Sequence, residues 1–274
     1  MRHNFHLTLI NHIMGVLHEE SYGKHLFPRD IANSDTTSAV LFLLAEHCEN
    51  DRLSSEPCVV FNKRSMLVRQ PGDLCFPGGR IALHMDYYLS KLLTLPLFPL
   101  ARWPYWVQWR NSLQHEAWRM ALLIATGLRE SLEEMRLNPF RVKFLGPLPP
   151  HNLDMFRRVI YPMVGWIKGQ KHFLLNWEVE KVVYVPIRNL LNTNNYACYR
   201  LNMKGRPENE RHEQTQDFPC FRHETQHERE VLWGATYWIV MIFLELIVGF
   251  TPPGIETLPV IHGSLDESYF NRGR

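Results

Sequence analysis

Leu128-Arg129-Glu130-Ser131-Leu132-Glu133-Glu134-Met135 sets three carboxylates at positions i, i+3 and i+4. On a helix that spacing brings Glu130, Glu133 and Glu134 onto one face, with Arg129 beside them. Like charges crowded in this way destabilise a bare helix. A hard divalent cation, which prefers carboxylate oxygens, would resolve the crowding. The plain alternative is a solvated charged turn, and the flanking stretches decide between the two.

Upstream, the helical period runs from Glu116 through Trp118, Ala121, Leu122, Ala125, Leu128, Leu132 and Met135 as one apolar stripe. Thr126 and the three glutamates fall on the other side, and Asn138-Pro139 stops the helix. Residues 80–114 carry Tyr87, Tyr88, Phe98, Trp103, Tyr105, Trp106 and Trp109 among Pro96, Pro99 and Pro104, which precludes one continuous helix. Before them, residues 58–67 (CVVFNKRSML) read as a strand and Gln70-Pro71-Gly72 as a turn. A short run at 73–76 is stopped by Pro77-Gly78-Gly79.

Downstream, strand-like runs cover 142–145, 160–167 and 182–187. Residues 192–230 are polar and loop-rich around a possible strand at 196–203, with Phe218-Pro219-Cys220 reading as loop. Residues 231–250 are nearly as long and apolar as a bilayer-spanning helix. Gly234, Thr236 and Tyr237 within them, and the lack of a following Lys/Arg cluster, favour a buried core helix and no membrane span. The N-terminal MRHNFHLTLINHIMGVLHEE reads as an amphipathic helix rather than a signal peptide. The apolar run 39–45 packs or pairs. This order of elements predicts an α/β fold, an α/β/α sandwich on a mixed β-sheet. The expected organisation is an N-terminal helical extension (1–50), a main α/β domain (51–250) holding an aromatic insertion (87–115), and a tail (251–274).

A chain of 274 residues buries a sizeable core, and 45% hydrophobic with 21% charged residues is ordinary globular composition. A net charge of +2 without a Lys/Arg stripe argues against a nucleic-acid partner. The five cysteines (Cys48, Cys58, Cys75, Cys198, Cys220) are odd in number and lack a CxxC pair, as expected of reduced thiols in the cytoplasm.

With these stretches in order, the chain resembles the Nudix hydrolases. Arg129, Glu130, Glu133, Glu134 and Leu137 match the second half of that family's box. Lys63-Arg64-Ser65 followed by Gly72-Asp73-Leu74-Cys75-Phe76-Pro77-Gly78-Gly79 is similar to the extended signature of the coenzyme A pyrophosphatase branch. Glu178-Val179, leading to Pro186, and Leu232-Trp233-Gly234-Ala235-Thr236 resemble two later stretches of that branch. The resemblance covers residues 58–248 in collinear order.

The departures are equally specific. The aromatic segment splits a box that is otherwise continuous, and Ala121 stands where its first Glu belongs, so either Asp86 or Glu116 substitutes for it or the role is gone. Ser131 takes an aliphatic position. Arg136 replaces the glycine that permits a left-handed exit, so the helix is expected to run on to Asn138.

The resemblance implies a Mg²⁺- or Mn²⁺-dependent diphosphatase, with coenzyme A or its acyl derivatives as the small-molecule substrate. Glu130, Glu133 and Glu134 would hold the metal, and Arg129 would orient them. Glu134, Glu178 or Glu180 would take the proton from water. Gly78 and Gly79 would let backbone approach closely, while Arg64, Arg69 and Arg80 would contact phosphate. The insertion would be a small satellite core, a lid over the substrate or a homodimer contact.

Two other readings compete. His223-Glu224-Thr225-Gln226-His227 fits the HExxH pattern of zinc metalloproteases, with Glu245 as a conceivable third ligand. The missing first Glu and Arg136 fit a non-catalytic Nudix-fold nucleotide-binding or regulatory module.

Overall fold

The structure is a computed structural model that describes residues 2–33, 35–47, 56–153, 158–203, 214–225, 228–265 and 269. Its elements run α1 (Arg2–Ser21), β1 (Thr37–His47), β2 (Glu56–Arg64), β3 (Leu74–Cys75), β4 (Gly78–Arg80), α2 (Leu83–Leu92), α3 (Trp106–Ser112) and α4 (Gln114–Met135). Then follow β5 (Val142–Pro147), β6 (His151–Leu153), β7 (Arg158–Ile167), β8 (Val179–Pro186), α5 (Ile187–Leu190), β9 (Tyr196–Met203), β10 (Gln214–Glu224), β11 (Arg229–Leu232), α6 (Gly234–Val248) and β12 (Val260–Leu265).

The larger sheet has the order β3-β2-β1-β7-β5, with β4 also on β1, β6 on β7 and β8 on β2. It is mixed because β1 and β7 run parallel while β1 pairs antiparallel with β2 and β4. β1 lies in the middle and is apolar on both faces, which explains its unbroken Ala-Val-Leu-Phe-Leu-Leu-Ala run. Successive residues point to opposite faces. The Leu41 side chain lies against α4 at Gly127, whereas the Phe42 ring packs 4.6 Å from Phe243 of α6. The sheet is therefore sandwiched between α4 and α6, giving the expected α/β/α arrangement. Because β1 pairs with β2, the boundary expected at residue 50 falls between two neighbouring strands of one sheet.

The aromatic insertion folds inward. Trp103, Trp106 and Trp109 are buried within the main core rather than in a separate satellite. Trp103 donates its indole N–H to the Leu145 carbonyl at 3.1 Å, and Trp109 donates to His18 of α1 at 3.3 Å. The Tyr105 ring stacks on His18 at 3.8 Å. These contacts change the reading of α4. Instead of one apolar stripe, every residue from Met120 to Arg129 is buried, Thr126 included, while Leu132 is exposed. The sheet covers one side of the helix and the inserted α2 and α3 cover the other.

The second half departs further from expectation. Residues 192–230 are not mainly loop, because β9, β10 and β11 form a second sheet of order β11-β10-β9-β12. Pro219 sits inside β10, where it pairs with Cys198 of β9. On its other side β11 pairs only from Phe221 onward, so no ladder hydrogen bond is asked of the proline nitrogen there. The expected tail contributes β12, parallel to β9. The apolar stretch near the C-terminus divides into β11 and α6, which Gly249 closes in the left-handed conformation. Among the described residues no helix is long and apolar enough to cross a membrane.

Candidate active site

The acidic helix is anchored through its arginine. Asp86, at zero exposure on α2, accepts from Arg129 Nε at 2.7 Å and Nη2 at 3.3 Å, from the Thr126 hydroxyl at 2.8 Å, and from the Ala82 amide at 2.8 Å. Arg129 Nη2 also donates to the Arg80 carbonyl at 3.0 Å, tying the helix to β4. Burial alone would lower the Arg129 pKa, but Asp86, Glu130 and Glu133 outweigh it and hold the guanidinium more firmly charged. Of the two acids considered for the missing box glutamate, Asp86 therefore lies at Arg129. Glu116 instead pairs with Arg119 at 3.1 Å and accepts from the Phe27 amide.

The three box glutamates part company. Glu130 and Glu133 both face Arg129 Nη1, at 3.0 and 3.3 Å, with Glu133 half exposed to solvent. Glu134 turns inward, where Asn62 Nδ2 donates to its Oε2 at 2.8 Å and the Gly78 amide donates to its Oε1 at 3.3 Å. Burial pushes the Glu134 carboxyl up to about 7. The two N–H donors oppose that shift, and repulsion from Glu130 and Glu178 adds to it. Burial likewise raises Glu130, partly offset by Arg129. The glycines explain how strand and helix come this close. A Cβ on Gly79 would collide with the Glu130 carboxylate, and one on Gly78 would collide with the Ala39 carbonyl.

The donor set suits a hard cation, since every candidate ligand is a carboxylate, and the repulsion that Glu130 exerts on Glu134 is what such an ion relieves. Among the described residues, no three His, Cys, Asp or Glu side chains are already gathered around one point.

Around this centre, Glu178 is close enough to Glu134 to raise its pKa, and the Asn176 amide ties their loop to the Glu134 carbonyl at 2.9 Å. Glu180 points away and pairs with Lys63 at 3.4 Å. Arg64 Nε donates to the Arg69 carbonyl at 2.7 Å, bracing the turn between β2 and β3. Arg69 and Arg80 are exposed. Burial and the nearby Glu134 push the Cys75 thiol up to about 12, so it stays protonated. Asn62 escaped the sequence reading because it lies 72 positions from Glu134 in an ordinary strand. An Asn amid an apolar strand, 1% exposed, is the signal that could have found it.

Two expectations fail here. Arg136 does not let the helix run on to Asn138. It caps α4 itself in the left-handed region (φ 53°, ψ 37°). The Arg136 amide bonds the Leu132 carbonyl, the Leu137 amide bonds the Ser131 carbonyl, and Leu137 is fully buried, which together hold a Schellman-type end. Gln170 reinforces that end by donating to the Arg136 carbonyl and accepting from the Asn138 amide, each at 2.9 Å. The HExxH pattern does not lie on a helix. His223 and Glu224 end strand β10, where the motif's i, i+4 geometry does not exist, and His227 lies outside the described residues.

No protein-family model matches the chain. Peroxisomal coenzyme A diphosphatase NUDT7 of Mus musculus is 26% identical over 150 residues, which is 54% of this chain and 48% of that protein. The match thus spans about half the length of the relative. Among solved structures, a MutT/nudix family protein from Enterococcus faecalis has a TM-score of 0.40 at 13% identity, covering 79% of this chain and 63% of that one. The Nudix hydrolase RenU from M. Smegmatis has a TM-score of 0.36 at 11% identity, covering 56% and 72%. At such scores the structural likeness adds no weight to the sequence match. Through that match and the collinear order of its motifs, the chain is similar to the Nudix hydrolases and resembles their coenzyme A pyrophosphatase branch, with an insertion splitting the stretch that resembles the box.

Proposed function

We propose that the chain is a Mg²⁺- or Mn²⁺-dependent hydrolase of a nucleoside diphosphate linked to another moiety, with coenzyme A or acyl-coenzyme A as the leading substrate. The observation that carries this reading is the placement of Glu130 and Glu134 against Gly79 and Gly78, beside an arginine that Asp86 locks in place. Glu130, Glu133 and Glu134 would hold the metal, which when bound neutralises diphosphate charge and lowers the pKa of water. Arg129 orients Glu130 and Glu133, while Asn62 and the Gly78 amide orient Glu134. Glu178, beside Glu134 and ahead of Glu180, is the preferred acceptor of the water proton. Arg64 and Arg69 grip the diphosphate.

A second reading has its own support. Ala121 where the first box glutamate belongs and Arg136 in place of the box glycine fit a Nudix-fold nucleotide-binding module without turnover. One assay separates the two: incubate the chain and its Glu134→Gln variant with coenzyme A, NADH, ADP-ribose and dinucleoside polyphosphates, with Mg²⁺ or Mn²⁺. Turnover that Glu134→Gln abolishes supports the hydrolase. Binding of a nucleotide by a folded chain that turns over none of them supports the module. As to location, the proposal keeps the cytoplasm expected from the cysteines, whereas the Mus musculus relative is named as peroxisomal. Cell fractionation distinguishes the two.

A further inference from the structure

For a surface helix, α2 is turned inside out. Its buried residues are Asp86, bonded to α4, and Ser90, whereas Leu83, Met85, Tyr88 and Leu92 are exposed. A helix on the outside of a globular core ordinarily buries its apolar stripe and offers its polar one to water. The Leu95 amide bonds to the Leu92 carbonyl, which continues the helical turn and adds exposed Leu95 to the same outward face. Leu97 follows at 72% exposure with φ 81°, a left-handed conformation that a leucine adopts only at a cost. Pro96 and Pro99 bracket it and stiffen the tip. Apolar side chains exposed singly are normal on a folded protein, but a contiguous patch marks an interaction surface.

The charges around the patch say what it fits. Apart from histidines, residues 81–115 carry three cations, Lys91, Arg102 and Arg110, against one carboxylate, the buried Asp86 that bonds Arg129. All three cations are exposed and, among the described residues, none enters an ion pair. Lys91 Nζ lies 5.1 Å from the centre of the exposed Tyr87 ring, so its charge sits among the apolar groups. Arg110 is on α3, which packs on α4 as α2 does, and exposes Val107 one turn before it. A bilayer containing anionic lipid offers the complementary layers: hydrocarbon for leucine, the interface for tyrosine and negative headgroups for lysine and arginine.

We propose that the outer face of α2 and the turn at Leu95 and Leu97 dock this protein peripherally on an anionic lipid surface. The leucines reach toward the acyl chains, the tyrosines lie at headgroup level, and Lys91 and Arg110 meet the anionic groups. The chain lies on the bilayer without crossing it. This goes beyond the hydrolase reading and does not depend on it.

The test is co-sedimentation of the full chain with phosphatidylcholine vesicles, with and without phosphatidylserine. Vesicles containing phosphatidylserine are expected to bind roughly tenfold more tightly at low salt, and high salt should remove that preference. Leu95→Ser combined with Leu97→Ser should weaken binding to the phosphatidylserine vesicles by roughly tenfold. Lys91→Glu combined with Arg110→Glu should abolish the preference for them. Val248→Ser, at an exposed position of α6 across the sheet, should change nothing. Leu97→Gly should weaken binding while holding or raising the melting temperature, because glycine accepts the left-handed turn; a purely structural leucine would not separate the two readouts. No binding by the wild type, or binding that survives both double variants in protein with wild-type circular dichroism, overturns the proposal. Self-association without vesicle binding, lost in the double leucine variant, overturns it as well and gives the face to a second copy of this chain.

Discussion

Asp86 and Arg129 meet in a buried pair, Oδ1 to Nε 2.7 Å, that ties the inserted helix α2 to the acidic helix α4. Asp86 lies one residue ahead of the aromatic segment 87–115, on the helix with which that segment begins, and so brings a carboxylate to Arg129. Removing one partner of a buried pair strands the other charge. Asp86→Ala should therefore cost about 3–5 kcal/mol in urea denaturation. Glu116→Ala, whose partner Arg119 keeps its bond to the Phe27 carbonyl, should cost distinctly less. Equal losses would remove the special role of Asp86.

The Glu134 carboxyl links stability to pH. Below its ordinary value of 4.5 it is protonated in both folded and unfolded chains, so burial costs little there. As pH rises, the unfolded chain releases its proton first, and folded stability declines until about pH 7. Beyond that the loss is constant, on the order of 3 kcal/mol. In chelator, Glu134→Gln should gain stability relative to the wild type by about that amount between pH 4.5 and pH 8, and millimolar Mn²⁺ should narrow the gap. A difference that does not vary with pH would show that Glu134 is not shifted.

Two neighbouring glycines should respond differently to alanine. At Gly79 the new methyl meets the end of the Glu130 side chain, which can swing aside. Gly79→Ala should fold nearly as well as the wild type but bind Mn²⁺ at least tenfold more weakly by electron paramagnetic resonance, about 1.4 kcal/mol. At Gly78 the methyl meets backbone, so Gly78→Ala should lose roughly 1–3 kcal/mol of stability. Reversed behaviour at the two positions would contradict the strand placement.

Arg136 occupies a left-handed cap that favours glycine. Arg136→Gly should raise the melting temperature, by about 1 kcal/mol of stability, because the capping bonds come from backbone and Gln170 rather than from the arginine side chain. Gln170→Ala should lower it. A destabilised Arg136→Gly would mean that the arginine side chain holds a contact of its own.

What was legible depended on sequence distance. Glu130, Glu133 and Glu134 could be grouped because four residues make one helical turn, and Gly78-Gly79 could be read because close approach demands the absence of a Cβ. Asp86 remained one of two options, since nothing local distinguishes it from Glu116 and 43 positions separate it from Arg129. Asn62 carried no motif at all. β10 hid behind Pro219, which is tolerated only because β11 stops short of it.

The sequence by itself determined the elements near the site, their order and the crowded acidic face, because helix period, strand alternation and glycine turns are local properties of the chain. Only the tertiary structure decided which carboxylate secures Arg129, which amide turns Glu134 inward, and how Arg136 ends the helix. Those outcomes depend on side chains from α2, β2 and the loop at Gln170 meeting α4, and such meetings are set by packing between elements rather than by any spacing within one.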